Sequence, residues 1–241
     1  MSELAHFIGI QGYLGAGKTT AASVLAHLFR NKVRQKGGDI KLFSNYGLRG
    51  SKRMATYSDW FSVADAHGSI LVWDESQEQF DGREFSSAER AFSTRLLNYG
   101  RKMACVQFFI APNYANLDNR VRQLTEVLIN VSSVGKRGIR MEFFDYTAGN
   151  KQTNLGRFLH SQFLPARSVR KVHSLNLFRT HRFVSGFPMP KTPREQEKFM
   201  EQLEEVHNAA LRRLGIETED DDTDVDFDSM LFFDDEEEVS A

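Results

Sequence analysis

The 241-residue sequence predicts an α/β fold in which a mostly parallel sheet is sandwiched by helices. Short apolar runs alternate with stretches of helical periodicity, at a spacing typical of βαβ units. A glycine-rich segment, GYLGAGKTT, joins the first apolar run to the first helical stretch. Two adjacent acidic residues end the third apolar run, at the sheet edge where open α/β folds bind their ligands.

Five strands are expected in the first 135 residues. The segments concerned are AHFIGI, DIKLFS, SILVWDE, MACVQFFIAP and EVLINVSSV. The first helix should follow the glycine-rich segment and bury one apolar face, formed by Val24, Leu25, Leu28 and Phe29. A short helix capped by Ser58 and a long amphipathic helix from about Ser86 to Arg101 are expected between later strands. A polar, basic loop covers residues 47–58.

The second half of the chain has weaker patterns. A sixth strand is predicted in GIRMEFFDYT, as an edge hairpin element, and residues 150–190 are expected to be irregular. A helix should begin near Thr192 and Pro193 and end at Gly215. This organisation suggests a core over residues 1–150, an extension with a helix over 151–216, and a disordered acidic tail over 217–241.

Charge is distributed unevenly along the chain. Residues 217–238 contain 13 acidic and no basic residues, which leaves 31 basic and 19 acidic residues in 1–216, an excess of 12 positive charges. A basic body with an acidic tail predicts a polyanionic partner and a tail that competes for the same surface. The tail also interleaves Met230–Phe233 with carboxylates, so docking on a protein partner and simple solubilisation are both open.

The compartment can be predicted from what the sequence lacks. Cys105 is the single cysteine, which argues against a disulfide framework and favours a reducing cytosol. The N-terminus has no signal-peptide pattern, and no apolar run reaches the ~18–20 residues that span a bilayer. We therefore expect a cytoplasmic protein without a transmembrane segment.

The glycine-rich segment matches the phosphate-loop pattern G-x-x-x-x-G-K-[ST] at Gly12, Gly17, Lys18 and Thr19. Glycines let consecutive backbone N–H groups surround an anion, and the following helix adds the positive end of its dipole. Lys18 should reach the β- and γ-phosphates of ATP, and the Thr19 hydroxyl should hold Mg²⁺. The predicted nucleotide-binding residues are Gly12, Tyr13, Leu14, Gly15, Ala16, Gly17, Lys18, Thr19 and Thr20.

The acidic pair after the third strand predicts hydrolysis. Asp74 is placed to hold Mg²⁺, and Glu75 can orient and deprotonate a water that attacks the γ-phosphate. A small-molecule kinase would instead exclude water from its site. At the end of the fourth strand, Asn113 could sense phosphate or position that water, and a turn-forming role is the equal alternative.

These motifs together resemble the FtsK–HerA group of P-loop ATPases, in particular zonula-occludens-toxin-like proteins and the genome-packaging ATPases of membrane-containing viruses. The resemblance covers about residues 5–135. It rests on the phosphate loop, the acidic pair followed by Gln77, an arginine-bearing helix, and an LD-x-x-(I/V)-R pattern at Leu117, Asp118, Val121 and Arg122. The sensor position commonly carries Gln, where this sequence has Asn113.

The resemblance implies an additional-strand type of P-loop NTPase, in which the sensor strand lies between the acidic and phosphate-loop strands. It also implies a homo-oligomeric ring whose subunits share ATP. One arginine of a neighbouring subunit should then act in catalysis, and the candidates are Arg95, Arg101, Arg120 and Arg122. Zonula-occludens-toxin-like proteins usually carry a membrane span, and the lack of one here favours a soluble packaging ATPase.

The sequence therefore predicts an ATP-hydrolysing motor that translocates double-stranded DNA without reading its sequence, as a viral genome-packaging ATPase in the host cytoplasm and at the virion vertex. The basic loop with Arg49, Lys52 and Arg53 could grip DNA phosphates, or could simply be solvated. Two alternatives stay open. One is a small-molecule P-loop kinase with a substrate lid formed by Arg167, Arg170, Arg179 and Arg182. The other is a nucleotide-gated adaptor, or virion assembly and extrusion protein, with low turnover.

Overall fold

A computed structural model describes residues 5–76, 87–147, 156–179 and 190–216. The strands are β1 (Phe7–Gln11), β2 (Lys41–Ser44), β3 (Gly47–Leu48), β4 (Ser51–Arg53), β5 (Ser69–Trp73), β6 (Cys105–Ala111), β7 (Val127–Ser133), β8 (Gly138–Asp145), β9 (Arg157–Pro165) and β10 (Phe178–Arg179). The helices are α1 (Lys18–Gln35), α2 (Trp60–Ala66), α3 (Ser87–Lys102), α4 (Asn119–Leu124), α5 (Ala166–Ser174) and α6 (Pro193–Leu214). Gln77 and the acidic tail lie outside the described residues.

Eight strands form one sheet in the order β4-β2-β5-β6-β1-β7-β8-β9. The first six strands in this spatial order, β4, β2, β5, β6, β1 and β7, pair in parallel. The last two, β8 and β9, each pair antiparallel to the strand before. β6 lies between β5 and β1, so the predicted strand order is confirmed. Because parallel strands end at the same sheet edge, the segments that follow β1, β5 and β6 converge there. β3 and β10 form a separate two-stranded sheet.

The helices cover both faces of the sheet. β5 and β6 are buried along their whole length, as expected for central parallel strands. One face is packed by α2, α3, α4 and α6, and the rings of Trp60 and Trp73 lie 6.2 Å apart in this layer. The other face is packed mainly by α1, with α5 beside it. The chain thus forms the helix–sheet–helix arrangement that its pattern predicts.

The buried face of α1 differs from the predicted one. Ala21, Ala22 and Ala26 are fully buried, whereas Leu28 is 51% exposed. The predicted Val24, Leu25 and Phe29 are half-buried. The small residues let α1 lie close over the sheet, directly after the phosphate loop, so the larger apolar side chains fall at the margins of the contact.

The segment before α2 also corrects the sequence prediction. A 3₁₀ turn over Tyr57–Asp59 precedes the helix, which begins at Trp60. The Asp59 carboxylate accepts hydrogen bonds from the backbone N–H of Ala55 and Thr56, at 2.8 and 2.9 Å. Asp59 is therefore the N3 residue of a capping box that begins at Thr56, and Ser58 is not the cap. The polar loop over 47–58 contains the short strands β3 and β4.

The segment over 157–179 is regular, so the prediction of irregular structure is wrong here. β9 pairs with β8 in the main sheet, and β8 is consequently an inner strand rather than an edge hairpin element. Seven of the nine β9 side chains are exposed, so neither face of this edge strand is covered by the described residues along most of its length. Its sequence accordingly lacks a clear alternation. The boundary that the sequence suggests near residue 150 falls between these two paired strands.

The C-terminal helix α6 agrees with its predicted boundaries. The Thr192 hydroxyl accepts a hydrogen bond from the Glu195 N–H at 3.2 Å, and Gly215 ends the helix with a left-handed φ of 69°. Phe199, Met200 and Leu203 are buried in the core cluster shared with α2 and α3. Among the helices that the structure describes, none is long and apolar enough to cross a membrane.

Candidate nucleotide site

The loop between β1 and α1 has the backbone that a phosphate cradle requires. Gly12 and Gly17 adopt φ values of 156° and 93°, which favour glycine. A Cβ at Gly12 would collide with the Val131 carbonyl oxygen, and one at Gly17 would collide with the Ile139 side chain. The Gly12 N–H also donates to the Pro112 carbonyl at 3.3 Å, which ties the loop to the end of β6. Side chains at these glycines would therefore displace the loop from β7 and β8.

Lys18 lies across the loop. Its Nζ donates to the Gly12 carbonyl at 3.0 Å and to the Tyr13 carbonyl at 3.2 Å. These bonds hold the ammonium group at the start of α1, where the helix dipole is also positive. The residue is therefore placed to meet a phosphate group from the loop side.

An oxygen cluster joins the start of α1 to the end of β5. The Thr19 hydroxyl donates to Asp74 Oδ2 at 3.0 Å, and the Glu75 N–H donates to Asp74 Oδ1 at 3.0 Å. A hydroxyl beside a carboxylate is a pair of hard oxygen ligands, the type that Mg²⁺ prefers. The predicted metal residues, Thr19 and Asp74, thus lie together and fit the ion chemically.

Asn45 is a positioning residue that sequence reasoning missed. Its buried side chain accepts from the Asp74 N–H and donates to the Asp74 carbonyl, each at 2.8 Å. The amide therefore clamps the Asp74 peptide from both sides. Its position after a strand could have indicated this role, since Asn45 directly follows β2, the strand that pairs with β5. The pairing itself could not be read from the sequence.

Glu75 has a strained backbone. Its φ is +50°, in the left-handed region, which costs a non-glycine residue about 1–2 kcal/mol. Strain of this kind is concentrated at functional sites, where the surrounding structure holds it. The Asp74 carboxylate, through its bond to the Glu75 N–H, contributes to that hold.

These groups open into one cavity of about 510 Å³, within the range of small-molecule sites. Leu14, Gly15, Gly17, Lys18, Thr19 and Thr20 line it from the phosphate loop, and Asp74 and Glu75 from the end of β5. Gly12, Tyr13 and Ala16, the other predicted nucleotide residues, shape the loop without lining the cavity, and Tyr13 is 90% exposed. The rest of the lining comprises Ser133, Gly135, Lys136, Gly138, Ile139, Ala166, Val169, Arg170, His173 and Phe178. Of these, sequence reasoning named only Arg170, as part of the substrate lid of a kinase.

Solved structures share this architecture. The N-terminal domain of zonular occludens toxin from Neisseria meningitidis matches with a TM-score of 0.50 and 17% identity, over 67% of this chain and 94% of that chain. This is a P-loop NTPase fold. The genome packaging NTPase B204 from Sulfolobus turreted icosahedral virus 2, in complex with ATP-gammaS, matches with a TM-score of 0.43 and 11% identity, over 61% of this chain and 95% of that chain. No family model and no curated protein match the sequence.

The predicted sensor of this P-loop NTPase caps a turn. The Asn113 side-chain oxygen accepts from the Ala115 N–H at 2.9 Å, at the start of the 3₁₀ turn Tyr114–Asn116. Asn113 is exposed and does not line the cavity. The contact corresponds to the turn-forming alternative. Gln11, at the end of β1, accepts from the Tyr114 N–H at 3.0 Å and supports the same turn.

None of the four candidate arginines lines the cavity of its own chain. Arg95 and Arg101 are exposed on α3. Arg120 donates to both Asp118 carboxylate oxygens at 3.0 Å and to the Thr94 hydroxyl at 3.2 Å, so local contacts occupy its guanidinium. Arg122 is half-buried, and its Nε has no hydrogen-bond partner within the described ranges. A catalytic role for any of them would have to be exerted on another subunit.

The basic loop has structural contacts. Arg49 Nη1 donates to the Leu175 carbonyl at 2.8 Å, and the Arg49 N–H donates to the Leu177 carbonyl at 2.8 Å. Lys52 donates to the Ser62 hydroxyl. Arg49 therefore links β3 to the segment that follows α5.

The buried position of Asp74 predicts a pH dependence. Burial raises the pKa of the Asp74 carboxyl above its ordinary value of 3.8, and the neighbouring Glu75 charge adds to the rise, while the Thr19 hydrogen bond and Lys18 oppose it. Because the pKa is raised in the folded state, the protonated Asp74 carboxyl contributes to the free energy of unfolding below pH 3.8. This contribution is lost as pH rises through the folded-state pKa.

The test is chemical unfolding without Mg²⁺ at a series of pH values, for the wild type and for Asp74→Asn. The variant has no charge to bury, so the wild type should lose unfolding free energy relative to it as pH rises above 3.8. With Mg²⁺ at neutral pH, the wild type should instead have the larger free energy of unfolding, because only the carboxylate binds the ion well. Parallel pH profiles for the two proteins would contradict the raised pKa.

Proposed function

We propose that this chain is an ATPase that uses hydrolysis to move duplex DNA, as a viral genome-packaging motor of the host cytoplasm and the virion vertex. The hydrolytic part rests on one observation: Glu75 lines the same cavity as Lys18, Thr19 and Asp74. A carboxylate at this position can activate a water at the end of a bound triphosphate.

The residues divide the reaction between them. The loop N–H groups and Lys18 bind the phosphates and offset their negative charge. Thr19 and Asp74 would hold Mg²⁺, which when bound neutralises charge that develops on the phosphate oxygens. Glu75 orients the attacking water and accepts its proton while the water oxygen forms a bond to the γ-phosphorus. The bond from the γ-phosphorus to the β–γ bridging oxygen breaks, and ADP and phosphate leave.

The DNA part of the proposal is supported by charge. Residues 1–216 carry an excess of 12 positive charges, and duplex DNA is a dense polyanion. Contacts to phosphates hold DNA without reading its sequence, which is what a translocating motor requires. Assembly of several subunits into a ring around the duplex would combine these contacts.

ATP turnover should therefore be measured with and without long double-stranded DNA, with sedimentation to detect oligomers. Stimulation by duplex DNA of any sequence, together with a species larger than a monomer, is expected. ATP turnover by an oligomer that DNA does not change would leave an ATPase without the motor function. Tight ATP binding with negligible turnover under every condition would support the nucleotide-gated adaptor instead.

One feature supports the second candidate function, a small-molecule kinase: Arg170 lines the cavity. Arg170 is one of the four arginines of the predicted substrate lid. Arg167 is exposed outside the cavity lining, and the side chains of Arg179 and Arg182 lie outside the described residues. A kinase would transfer the phosphoryl group to a nucleoside or metabolite and release little free phosphate, so phosphate release without an added acceptor distinguishes the two functions.

Deleting residues 217–241 is expected to tighten DNA binding at low salt and to steepen its salt dependence. The 13 carboxylates of the tail are tethered at high effective concentration and should compete with DNA for the basic surface. Binding should be titrated at several salt concentrations, with a variant that replaces Met230–Phe233 by serines as the control that keeps every acidic residue. An unchanged affinity after truncation would favour a protein-docking role for the tail.

A further inference from the structure

We propose that Arg170 of α5 is a ligand of the nucleotide's phosphate chain, supplied by the same subunit that carries the phosphate loop. The inference rests on the proposed function, because it assumes that the cavity binds ATP. It makes α5 the second wall of the nucleotide site, facing the phosphate loop.

One face of α5 lines the cavity. Ala166, Val169, Arg170 and His173 have the spacing i, i+3, i+4 and i+7, which places them on a single side of a helix. Ala166 and Val169 are half-buried, while Arg170 and His173 are exposed. The helix thus presents an apolar base to the cavity and polar groups at its open side.

The helix is held at both ends. At its start, α5 follows β9 without an intervening loop, and a Cβ at Gly138 would collide with the Leu164 carbonyl, so this corner is closely packed. Beyond its end, Phe178 pairs with Leu48 in the small sheet and packs edge-on against Tyr46, with ring centroids 6.4 Å apart.

Arg49 fixes the same end through its two 2.8 Å hydrogen bonds to the Leu175 and Leu177 carbonyls. A wall held in this way carries its side chains on a rigid element, which reduces the ordering that binding would otherwise require.

The charge of the cavity agrees with a phosphate ligand. Its lining contains three cationic side chains, Lys18, Lys136 and Arg170, and two anionic ones, Asp74 and Glu75. α5 itself has no acidic residue, and no ion pair to Arg170 is found within residues 5–76, 87–147, 156–179 and 190–216. A guanidinium can meet phosphate oxygens with two parallel hydrogen bonds, a geometry that an ammonium group cannot supply.

Arg167 provides a matched control. It lies three residues before Arg170 on the same helix and is also exposed, but it does not line the cavity. Alanine at either position removes the same charge from the same helix. A general electrostatic effect of α5 should therefore appear in both variants, and a direct phosphate contact only in one.

The test is equilibrium binding of ATP, tripolyphosphate and AMP, each with Mg²⁺, to the wild type and to Arg170→Ala, Arg170→Lys and Arg167→Ala. Arg170→Ala should weaken ATP and tripolyphosphate by about 10- to 100-fold, the range of a hydrogen bond to a charged group, and should change AMP much less. Arg170→Lys should recover part of the loss, and Arg167→Ala should bind like the wild type. Thermal unfolding of each variant verifies that it is folded.

Each other outcome overturns the inference in a distinct way. Equal losses for ATP and AMP would place the contact on the nucleoside, and equal losses in Arg167→Ala would make the effect a general one. Unchanged ATP binding by a folded Arg170→Ala would remove the contact while leaving the proposed function intact. If the wild type binds neither ATP nor tripolyphosphate, the proposed function is overturned, and this inference with it.

Discussion

Replacing Glu75 by glutamine should lower the rate of ATP hydrolysis by about 10²–10⁴-fold while ATP binding persists, because the amide keeps the shape of the side chain but cannot accept a proton. The Asp74 carboxylate and the Thr19 hydroxyl, which would hold Mg²⁺, are unchanged in this variant. The left-handed backbone at position 75 is also kept, so the strain of the loop is the same in both proteins. The variant should therefore accumulate a stable complex with uncut ATP.

Hydrolysis should be measured as phosphate release and binding as retention of ATP, on the same preparation. Glu142→Gln is a matched control, since Glu142 is a half-buried glutamate on β8 that accepts from Asn130 Nδ2 at 3.3 Å and does not line the cavity. Loss of ATP binding in Glu75→Gln would identify Glu75 as a metal ligand or a structural residue. Normal turnover would exclude it as the base.

The predictable part of the site is the part that is continuous in sequence. The phosphate loop is a run of nine consecutive residues, and at Gly12 and Gly17 a Cβ would collide with residues of β7 and β8. The acidic pair directly follows a fully buried strand. Each motif can be recognised from the strand or helix that flanks it in the sequence. The parallel topology then places both motifs at the same edge of the sheet.

The wall facing the loop depends instead on long-range pairing. β9 is an exposed edge strand whose residues show no clear alternation. α5 is amphipathic but only nine residues long, and its pattern does not show which part of the chain it packs against. The position of α5 over the cavity is set by β8 on one side and by Arg49 on the other, which is more than 120 residues away in the sequence. No local pattern reports such a contact.

Asn45 and Asn113 show the same limit for single side chains. Both follow a buried strand, and the sequence gives no reason to prefer either. In the structure, Asn45 clamps the Asp74 peptide, whereas Asn113 caps a turn outside the cavity lining. Both β2 and β6 pair with β5, so strand order alone does not separate the two roles. Asn45 follows β2 directly, whereas Asn113 is separated from β6 by Pro112 and begins the Tyr114–Asn116 turn.

An arginine supplied by a neighbouring subunit is expected to raise the hydrolysis rate by about 10³–10⁵-fold, through stabilisation of charge on the transferred phosphoryl group. The four candidates differ in their exposure. Arg120 is held by Asp118 and Thr94, and its side chain is 30% exposed, so moving it to another subunit would break an existing ion pair. Arg95 and Arg101 are exposed on α3 and are the best placed to reach outward. Arg122 is half-buried, so as a candidate it ranks between Arg120 and the two arginines of α3.

Mixed oligomers test the idea directly. A subunit with alanine at one of the four candidate arginines keeps its phosphate loop, and a Lys18→Ala subunit keeps its arginines, so a mixture should regain activity where the two meet. The control is a subunit with Lys18→Ala and the same arginine substitution together, which should give no rescue. Sedimentation must show that subunits exchange. If mixed oligomers form and none of the four arginines gives rescue, ATP is not shared between subunits in the way that a ring motor requires, and hydrolysis must be completed by groups of a single chain.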